Sequence, residues 1–318
     1  KRGTCGMSIL ELGSLQLTLF AMMLTGALLK KKGIIDENGK KCLSDLCISV
    51  VIPCNIFKSC LIDFNADILR ACAALLASAV VMQLFCLALN KFLYNHYPAQ
   101  QKKVLQYCTI VPMSGFLGNP IAEGIYSEVG VLYTSIFLIP MRIVMWSVGV
   151  SYFMQDAAPA TPEERKKHRL AVLRKTSTHP CIASVFVGMV IMLTQWQLPT
   201  FLGKAVQCTS SCNMTMSMFL IGAIIGSRDL HPLLDKDAII YCIIRLFLMP
   251  LVVLVGCRAA HVGQLATGVA VVLAGMPMGG TTTILAEKYG ADSTFASKCT
   301  AISTVLSLIT TPLWCLVV

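Results

Sequence analysis

Val111-Pro-Met-Ser-Gly115 recurs in altered form as Met276-Pro-Met-Gly-Gly280, and this pair of stretches decides the fold of the chain. Further along, each stretch is followed by an Ala-Glu pair, at Ala122 and at Ala286, and then by a tyrosine. One such match could arise by chance. Two matches in the same order, one set in each half of the chain, predict an internal repeat.

The composition indicates what solvent surrounds this repeat. Of the 318 residues, 56% are hydrophobic and only 13% are charged, whereas soluble domains carry about 25% charged residues. A membrane-spanning helix needs about 20 apolar residues, so the chain has room for about ten spans and no separate soluble domain. We place the spans at 9–29, 43–62, 68–93, 103–127, 131–154, 180–196, 200–226, 238–258, 262–287 and 293–316.

Lysine and arginine indicate the orientation of these spans. Of the 26 basic residues, 17 lie in loops after odd-numbered spans and 6 lie on the other side. Cytoplasmic loops are enriched in basic residues. This bias predicts a protein of the cell membrane, namely the inner membrane of a bacterium, with both termini on the outer side. The longest loop, 156–179, is then cytoplasmic and divides two halves, 1–155 and 180–318. Each half holds five spans, so the halves must have opposite orientations. The net charge of +10 reflects these loops and not a nucleic-acid partner.

Spans four and nine carry proline and glycine in their middles, which predicts that both helices are broken. Proline removes an amide donor and glycine permits non-helical dihedral angles. Irregular backbone at membrane depth survives where it is buried in protein or lines a wet cavity, and matched breaks in inverted halves indicate a transporter site near the midplane. The alternative is a pair of simple kinks. The residues predicted to bind a substrate here are Ser114, Gly115, Asn119, Pro120, Pro277, Gly279, Gly280 and Thr281.

Three further residues within the spans are candidates for function. Arg142 lies near the middle of span five, where a charge is costly and points to function, and its guanidinium suits a carboxylate. It could instead snorkel or pair with Glu123, which is itself a candidate to carry a coupling proton or to face the outer vestibule. Asn55 could bind substrate or cap the backbone freed by Pro53. Arg245 lies about one-third into span eight, where its side chain could snorkel to the cytoplasmic side or take a functional role.

Signatures of other chemistry are weak. The 15 cysteines mostly lie in apolar runs as small apolar residues, and the five histidines lack metal-ligand spacing. Neither a metal, a cofactor nor an enzyme activity is predicted. Gly222-Ala-Ile-Ile-Gly226 is a small-residue pattern suited to close helix contact, either between two copies of the chain or within one chain.

Several ordered motifs resemble the auxin efflux carrier family, which includes plant auxin exporters and bacterial carriers suggested to move malate or malonate. The resemblance covers nearly the whole chain. It is carried by Gly26-Ala-Leu-Leu-Lys-Lys-Lys-Gly33, Val51-Ile-Pro-Cys-Asn-Ile-Phe57, Gly115-Phe-Leu-Gly-Asn-Pro-Ile121, Trp146-Ser-Val-Gly149, Arg245-Leu-Phe-Leu-Met-Pro250 and the region from Met276 to Pro312.

The resemblance implies a five-plus-five inverted repeat. Spans one, two, six and seven would form a scaffold, which would form a homodimer through spans two and seven (including Gly222 and Gly226). Spans three to five and eight to ten would form a mobile transport domain, and spans four and nine would cross at their breaks. Two departures matter: Met113-Ser114 stands where the family has Asn-Thr, and Arg142 stands where it tends to have Asn. The second departure favours a more anionic substrate.

These observations predict a secondary-active, elevator-type transporter of small organic anions, namely mono- or dicarboxylates such as malate, coupled to H⁺ or Na⁺. One alternative is a sodium-coupled symporter resembling the bile-acid carriers, which share a related ten-helix plan, although no acidic cation cage is evident. Another is a membrane receptor that binds the anion without moving it. Flux into liposomes distinguishes the receptor, and Na⁺ dependence of binding distinguishes the symporter.

Overall fold

The regular secondary structure of the protein is helical. The computed structural model describes residues 9–61, 66–153, 180–196, 198–226 and 235–318, and within these ranges no strand is present apart from one isolated β-bridge. The predicted cytoplasmic loop 156–179 and the first six residues lie outside the described residues.

The ten predicted spans coincide with helical segments. The first half contains α1 (Ile9–Lys31), α2 (Glu37–Leu46), α3 (Ile52–Ser59), α4 (Ala66–Phe92), α5 (Ala99–Ile110), α6 (Asn119–Val144) and α7 (Val150–Phe153). The second half contains α8 (Pro180–Thr194), α9 (Thr200–Gly226), α10 (Lys236–Ile243), α11 (Met249–Ala259), α12 (Gln264–Ala274), α13 (Thr281–Lys288) and α14 (Ser293–Val317). Short π-helical turns at 47–51, 145–149 and 244–248 join neighbouring helices without a loop, and another at 114–118 leads directly into α6.

Five of the continuous helical segments are long and apolar enough to cross a membrane by length and composition alone. They are Glu37–Ser59, Ala66–Phe92, Ser114–Phe153, Lys236–Ala259 and Ser293–Val317. Large apolar side chains point outward from several helices, such as Val81 on α4 and Phe186 on α8. A helical surface of this kind suits a polytopic membrane protein. The five-plus-five inverted repeat stays a prediction.

Two of the predicted spans are interrupted, as their proline and glycine content indicates. The first break separates α5 from the π-helical turn that begins at Ser114, and the second separates α12 from α13. A third irregularity bends the helical run 114–153 at Ser127, whose φ of 57° and ψ of −148° are not helical. This bend separates the end of predicted span four from the start of span five.

The helices form two packing groups. In one group, α1 packs along α9, and α3 packs against both α8 and α9. In the other, α6 packs against α4 and α12, and α14 packs against α10 and α13. The two groups meet where α6 lies against α3, where α9 lies against α6 and the 114–118 turn, and where α1 lies against α14. The division of the spans into a scaffold and a mobile transport domain stays a prediction.

Gly222 and Gly226 face α1 of the same chain. A Cβ atom at Gly222 would overlap the backbone oxygen of Met23, and one at Gly226 would lie 2.9 Å from the Cα of Ala27. Gly26 of α1 approaches the backbone of Phe219 equally closely. Of the two alternatives that the sequence left open, the intrachain contact therefore describes these glycines, because α1 occupies the face that a second copy would need.

We expect Gly222→Ala to destabilise the protein, because its Cβ has no room beside the backbone of α1. Overpacking of this kind costs about 1–3 kcal/mol. Gly203→Ala is the matched control on the same helix, since a Cβ there would meet no atom within 4 Å. Thermal unfolding in detergent measures both variants. Equal unfolding temperatures for the two would contradict the close packing of α1 and α9.

Candidate functional site

The two broken helices cross each other through their backbones. Pro112 and Met278 form an antiparallel β-bridge. The Met113 N–H donates to the Pro277 carbonyl at 2.7 Å, and the Gly279 N–H donates to the Val111 carbonyl at 3.2 Å. Extended backbone inside a membrane must satisfy its polar groups within the protein, and here each break satisfies part of the other. This crossing, defined as residues 111–120 and 275–283, contains every predicted binding residue of spans four and nine.

Arg245 lies against one side of the crossing. Its side chain is fully buried. The Nε donates to the carbonyl of Met276 at 3.1 Å, and a terminal nitrogen donates to the carbonyl of Thr109 at 2.9 Å. The Thr109 carbonyl lies in the last turn of α5, and the Met276 carbonyl lies two residues beyond the end of α12. Of the two alternatives for Arg245, snorkelling to the cytoplasmic side is wrong, because the free carbonyls of two broken helices provide acceptors within the protein.

Electrostatics explain why an arginine is stable at this place. The C-terminal end of a helix carries a partial negative charge, and two such ends meet where the Arg245 guanidinium binds. Its other terminal nitrogen is buried without a hydrogen-bond partner, and no ion pair among the described residues includes Arg245. One positive charge therefore balances two partial negative charges at this side of the crossing.

Two more side chains complete the backbone hydrogen bonds of the crossing. The Tyr241 hydroxyl donates to the carbonyl of Cys108 at 3.1 Å. The Ser303 hydroxyl accepts from the Met278 N–H at 3.2 Å. Sequence reasoning did not single out these two residues, because a tyrosine or a serine in an apolar span has no distinctive pattern. Arg245 did have a signal, as a charge inside an apolar run.

The N-terminal ends of the two half-helices lie at the accessible side of the crossing. Gly115 and Thr281 are partly exposed, whereas the flanking Ser114 and Thr282 are fully buried. A Cβ atom at Gly115 would meet no atom within 4 Å, so open space adjoins this turn. The first N–H groups of a helix have no partner within the helix, which makes these ends suited to an anion.

The predicted binding residues differ in whether their polar groups are already occupied. The Ser114 hydroxyl donates to the Leu273 carbonyl at 3.1 Å, and the Thr281 hydroxyl accepts from Tyr107 at 3.4 Å. The side chain of Asn119 is fully buried, and both its amide oxygen and its amide nitrogen lack a partner. Asn119 is therefore the predicted residue with the most hydrogen-bonding capacity left for a ligand.

Arg142 lies away from these backbone contacts, beside the thiol of Cys181 on α8. Its side chain is buried, at 6% exposure, and one terminal nitrogen has no hydrogen-bond partner. The alternative pairing with Glu123 does not occur. Arg142 thus faces the boundary between the two packing groups, and its role in substrate binding stays a prediction.

Asn55 and Glu123 are brought together by the fold. The Asn55 amide nitrogen donates to the Glu123 carboxylate at 3.0 Å, and the Asn55 amide oxygen accepts from Ser210 at 2.7 Å. The amide nitrogen of Asn213 lies 3.5 Å from the same carboxylate oxygen. Asn55 therefore uses its amide between helices and not as a cap for the backbone near Pro53. Within the described ranges, no group of three or more His, Cys, Asp or Glu side chains could hold a metal ion.

Comparison with known proteins agrees with the membrane-spanning architecture. Residues 15–315 match a family described as membrane transport protein. The chain belongs to this family. It is the family of the auxin efflux carriers, so the resemblance noted in the motifs is confirmed.

Its curated relatives are full-length matches. A transporter from Methanothermobacter thermautotrophicus is 23% identical over 311 residues, which cover 95% of this chain and 96% of the relative. The transporter YfdV of Escherichia coli is 19% identical over 302 residues, which cover 94% and 95%. A transporter from Methanocaldococcus jannaschii is 22% identical over 312 residues, which cover 94% and 96%. All three are named as uncharacterized transporters. Membership in a transporter family is consistent with a chain that is not an enzyme.

We expect Arg245→Lys to destabilise the membrane transport protein although it keeps the charge. A lysine ammonium is a point charge and cannot reproduce the planar fork of arginine, so one of the two carbonyls loses its donor. Hydrogen bonds to charged groups contribute about 1.5–3 kcal/mol each. The control is Arg258→Lys, at an exposed arginine of α11. Thermal unfolding should separate the two variants, and a wild-type unfolding temperature for Arg245→Lys would refute its bridging role.

Proposed function

We propose that this protein is a secondary-active carrier of small organic anions, mono- or dicarboxylates such as malate, and that the substrate binds at the accessible side of the crossing. The observation that carries this proposal is the position of Arg245. Arg245 balances the partial negative charge of the helix ends before the two breaks. The partial positive charge at the N-terminal ends of the half-helices after the breaks has no such balancing group. An anion beside Gly115 and Thr281 would complete the charge balance of the crossing.

Buried Arg142 strengthens the case for an anion over a neutral or cationic substrate. Burying an ionised group without a partner is costly, yet Arg142 belongs to no ion pair among the described residues. It also retains a buried terminal nitrogen with no hydrogen-bond partner. A carboxylate matches the planar donors of a guanidinium. A second carboxylate on the same substrate would suit Arg142, at the boundary between the packing groups.

The packing supports an elevator mechanism. In this proposal, α4–α7 and α10–α14 carry the crossing and the substrate, and they move against a scaffold of α1–α3, α8 and α9. The boundary between the groups is formed by α6 against α3, by α9 against α6 and the 114–118 turn, and by α1 against α14. Two scaffolds would associate in a homodimer through helices α2, α3 and α9, using faces of α9 other than the one that contains Gly222 and Gly226.

The first test is ligand-dependent stability in the presence of mono-, di- and tricarboxylates. A ligand that binds only the folded protein raises its stability by about 2.7 kcal/mol at 100 times the dissociation constant. We expect a dicarboxylate to stabilise the wild type and Arg142→Asn to lose that response. Arg258→Asn is the control, because Arg258 is exposed. If no carboxylate stabilises the wild type, the anion site is refuted; if Arg142→Asn responds fully, only the role of Arg142 fails.

The second test uses the open space beside Gly115. We expect Gly115→Ala to leave the unfolding temperature nearly unchanged, because its Cβ meets no protein atom, but to reduce carboxylate flux into liposomes about tenfold, since one misplaced methyl group in a binding site costs about 1–3 kcal/mol. Gly256→Ala is the matched control, as its Cβ also meets no atom within 4 Å and it lies on α11. Equal flux through both variants would place the substrate elsewhere. Carboxylate binding without flux in the wild type would indicate a receptor.

A further inference from the structure

A second cluster of polar groups lies one turn beyond the crossing, at the boundary between the two packing groups. We define it as the boundary cluster, consisting of Asn55 on α3, Glu123 on α6, and Ser210, Asn213 and Ser217 on α9. The four uncharged members are all buried, with at most 2% exposure. Glu123 is half-buried. The cluster thus joins α6 of one packing group to α3 and α9 of the other.

The boundary cluster has a charge that no side chain balances. No ion pair among the described residues includes Glu123. The basic residue on the neighbouring turn, Lys58, is already paired with Glu128 at 3.3 Å. Glu123 instead accepts hydrogen bonds from two neutral amides. Amide donors lower the cost of burying a carboxylate but add no positive charge.

The cluster also has acceptor oxygens without a donor. The amide oxygen of Asn213 and the hydroxyl of Ser217 are both buried with no hydrogen-bond partner. The Asn213 oxygen belongs to the same amide group whose nitrogen bonds Glu123, so it lies at the cluster. Residues four apart lie on one face of a helix, so Ser217 follows Asn213 on the same face of α9. Buried polar atoms of this kind need a partner.

The direction of the helices places Asn119 beside this group. Gly280 contacts both Met113, just before α6, and Ile224, near the end of α9, while Glu123 of α6 bonds Asn213 earlier in α9. The two helices are therefore antiparallel. Asn119 lies one turn before Glu123 on α6, and Ser217 lies one turn after Asn213 on α9. Because the helices are antiparallel, Asn119 and Ser217 lie at the same height along the helix pair. Asn119 thereby connects the boundary cluster to the crossing.

We infer that the boundary cluster binds a small monovalent alkali cation, with Na⁺ as the representative ion. The carboxylate of Glu123, the amide oxygen of Asn213 and the hydroxyl of Ser217 would supply its oxygen ligands. One carboxylate balances one positive charge, whereas Ca²⁺ in proteins takes six to eight oxygen ligands, commonly from several carboxylates. The site lacks the nitrogen and sulfur donors that Zn²⁺ prefers. A hard monovalent cation matches both the ligands and the charge.

This inference rests on the proposed function in one respect: as a site between the packing groups and next to Asn119, it would couple cation binding to the movement of the anion. A cation here would link α6 to α9 and would change the stability of the contact between the two packing groups. The cation would also offset the negative charge of an anion that is transported together with it. The binding site itself, however, can be tested without any anion.

The experiment measures binding of radioactive ²²Na⁺ to the purified protein, with choline replacing Na⁺ to keep the ionic strength constant and with no carboxylate added. We expect saturable binding by the wild type and its loss in Glu123→Gln, which keeps the shape and the acceptor for Asn55. Glu128→Gln is the matched control, because that carboxylate is paired with Lys58, and it should bind as the wild type does. Ser217→Ala should weaken binding about tenfold, as loss of a supporting group at a metal site does.

Absence of saturable ²²Na⁺ binding by the wild type, or unchanged binding by Glu123→Gln, overturns the inference. If Glu123→Gln does not fold, Ser217→Ala still decides the matter, since it removes only a hydroxyl; unchanged affinity in that variant also overturns the inference. The two proposals fail separately. Carboxylate flux without ²²Na⁺ binding leaves the anion carrier intact and refutes the cation site, whereas ²²Na⁺ binding without any carboxylate response does the reverse.

Discussion

The hydrogen bonds from Arg245 to the carbonyls of Thr109 and Met276 are the interaction on which the rest of the structure depends. Two helices that break inside a membrane leave carbonyl groups that water cannot reach. One guanidinium donates to a carbonyl at both helix ends, because its N–H groups point in several fixed directions. The hydrogen bonds between the two breaks then hold the extended segments of the crossing together. The N-terminal ends of the two half-helices lie on the other side.

This arrangement separates structural charge from binding charge. The positive group that stabilises the fold binds the negative helix ends, so it does not need a carboxylate from the protein. The positive helix ends and the open space at Gly115 are consequently available to the anion that we propose as substrate. A carboxylate side chain in place of that ligand would make the site self-sufficient, and it would then have no reason to bind an anion from solution.

The sequence predicted the helices and the breaks well, because both arise from local chemistry. Long apolar runs specify spans, and Pro112 and Pro277, each with glycines close by, lie where the two helices break. Contacts between distant helices were harder to predict. The side chain of Arg245 is long enough to reach either the surface or the interior, and only the position of two other helix ends determines which. Likewise, nothing near Asn55 in the sequence indicates that Glu123, on another helix, receives its amide.

The same reasoning gives Gly222 and Glu123 different consequences for the proposed elevator movement. Gly222 lets two helices of one packing group approach until their backbones touch, and dispersion and shape keep such a contact closed. Glu123 instead joins helices of different groups through hydrogen bonds between side chains, which can exchange partners without loss of packing. If the groups move as proposed, the boundary between them needs contacts of the second kind. The polar residues between α6 and α9 are therefore better suited to a moving interface than the glycines between α1 and α9, and a cation held among them would affect the sliding surface and not the rigid core.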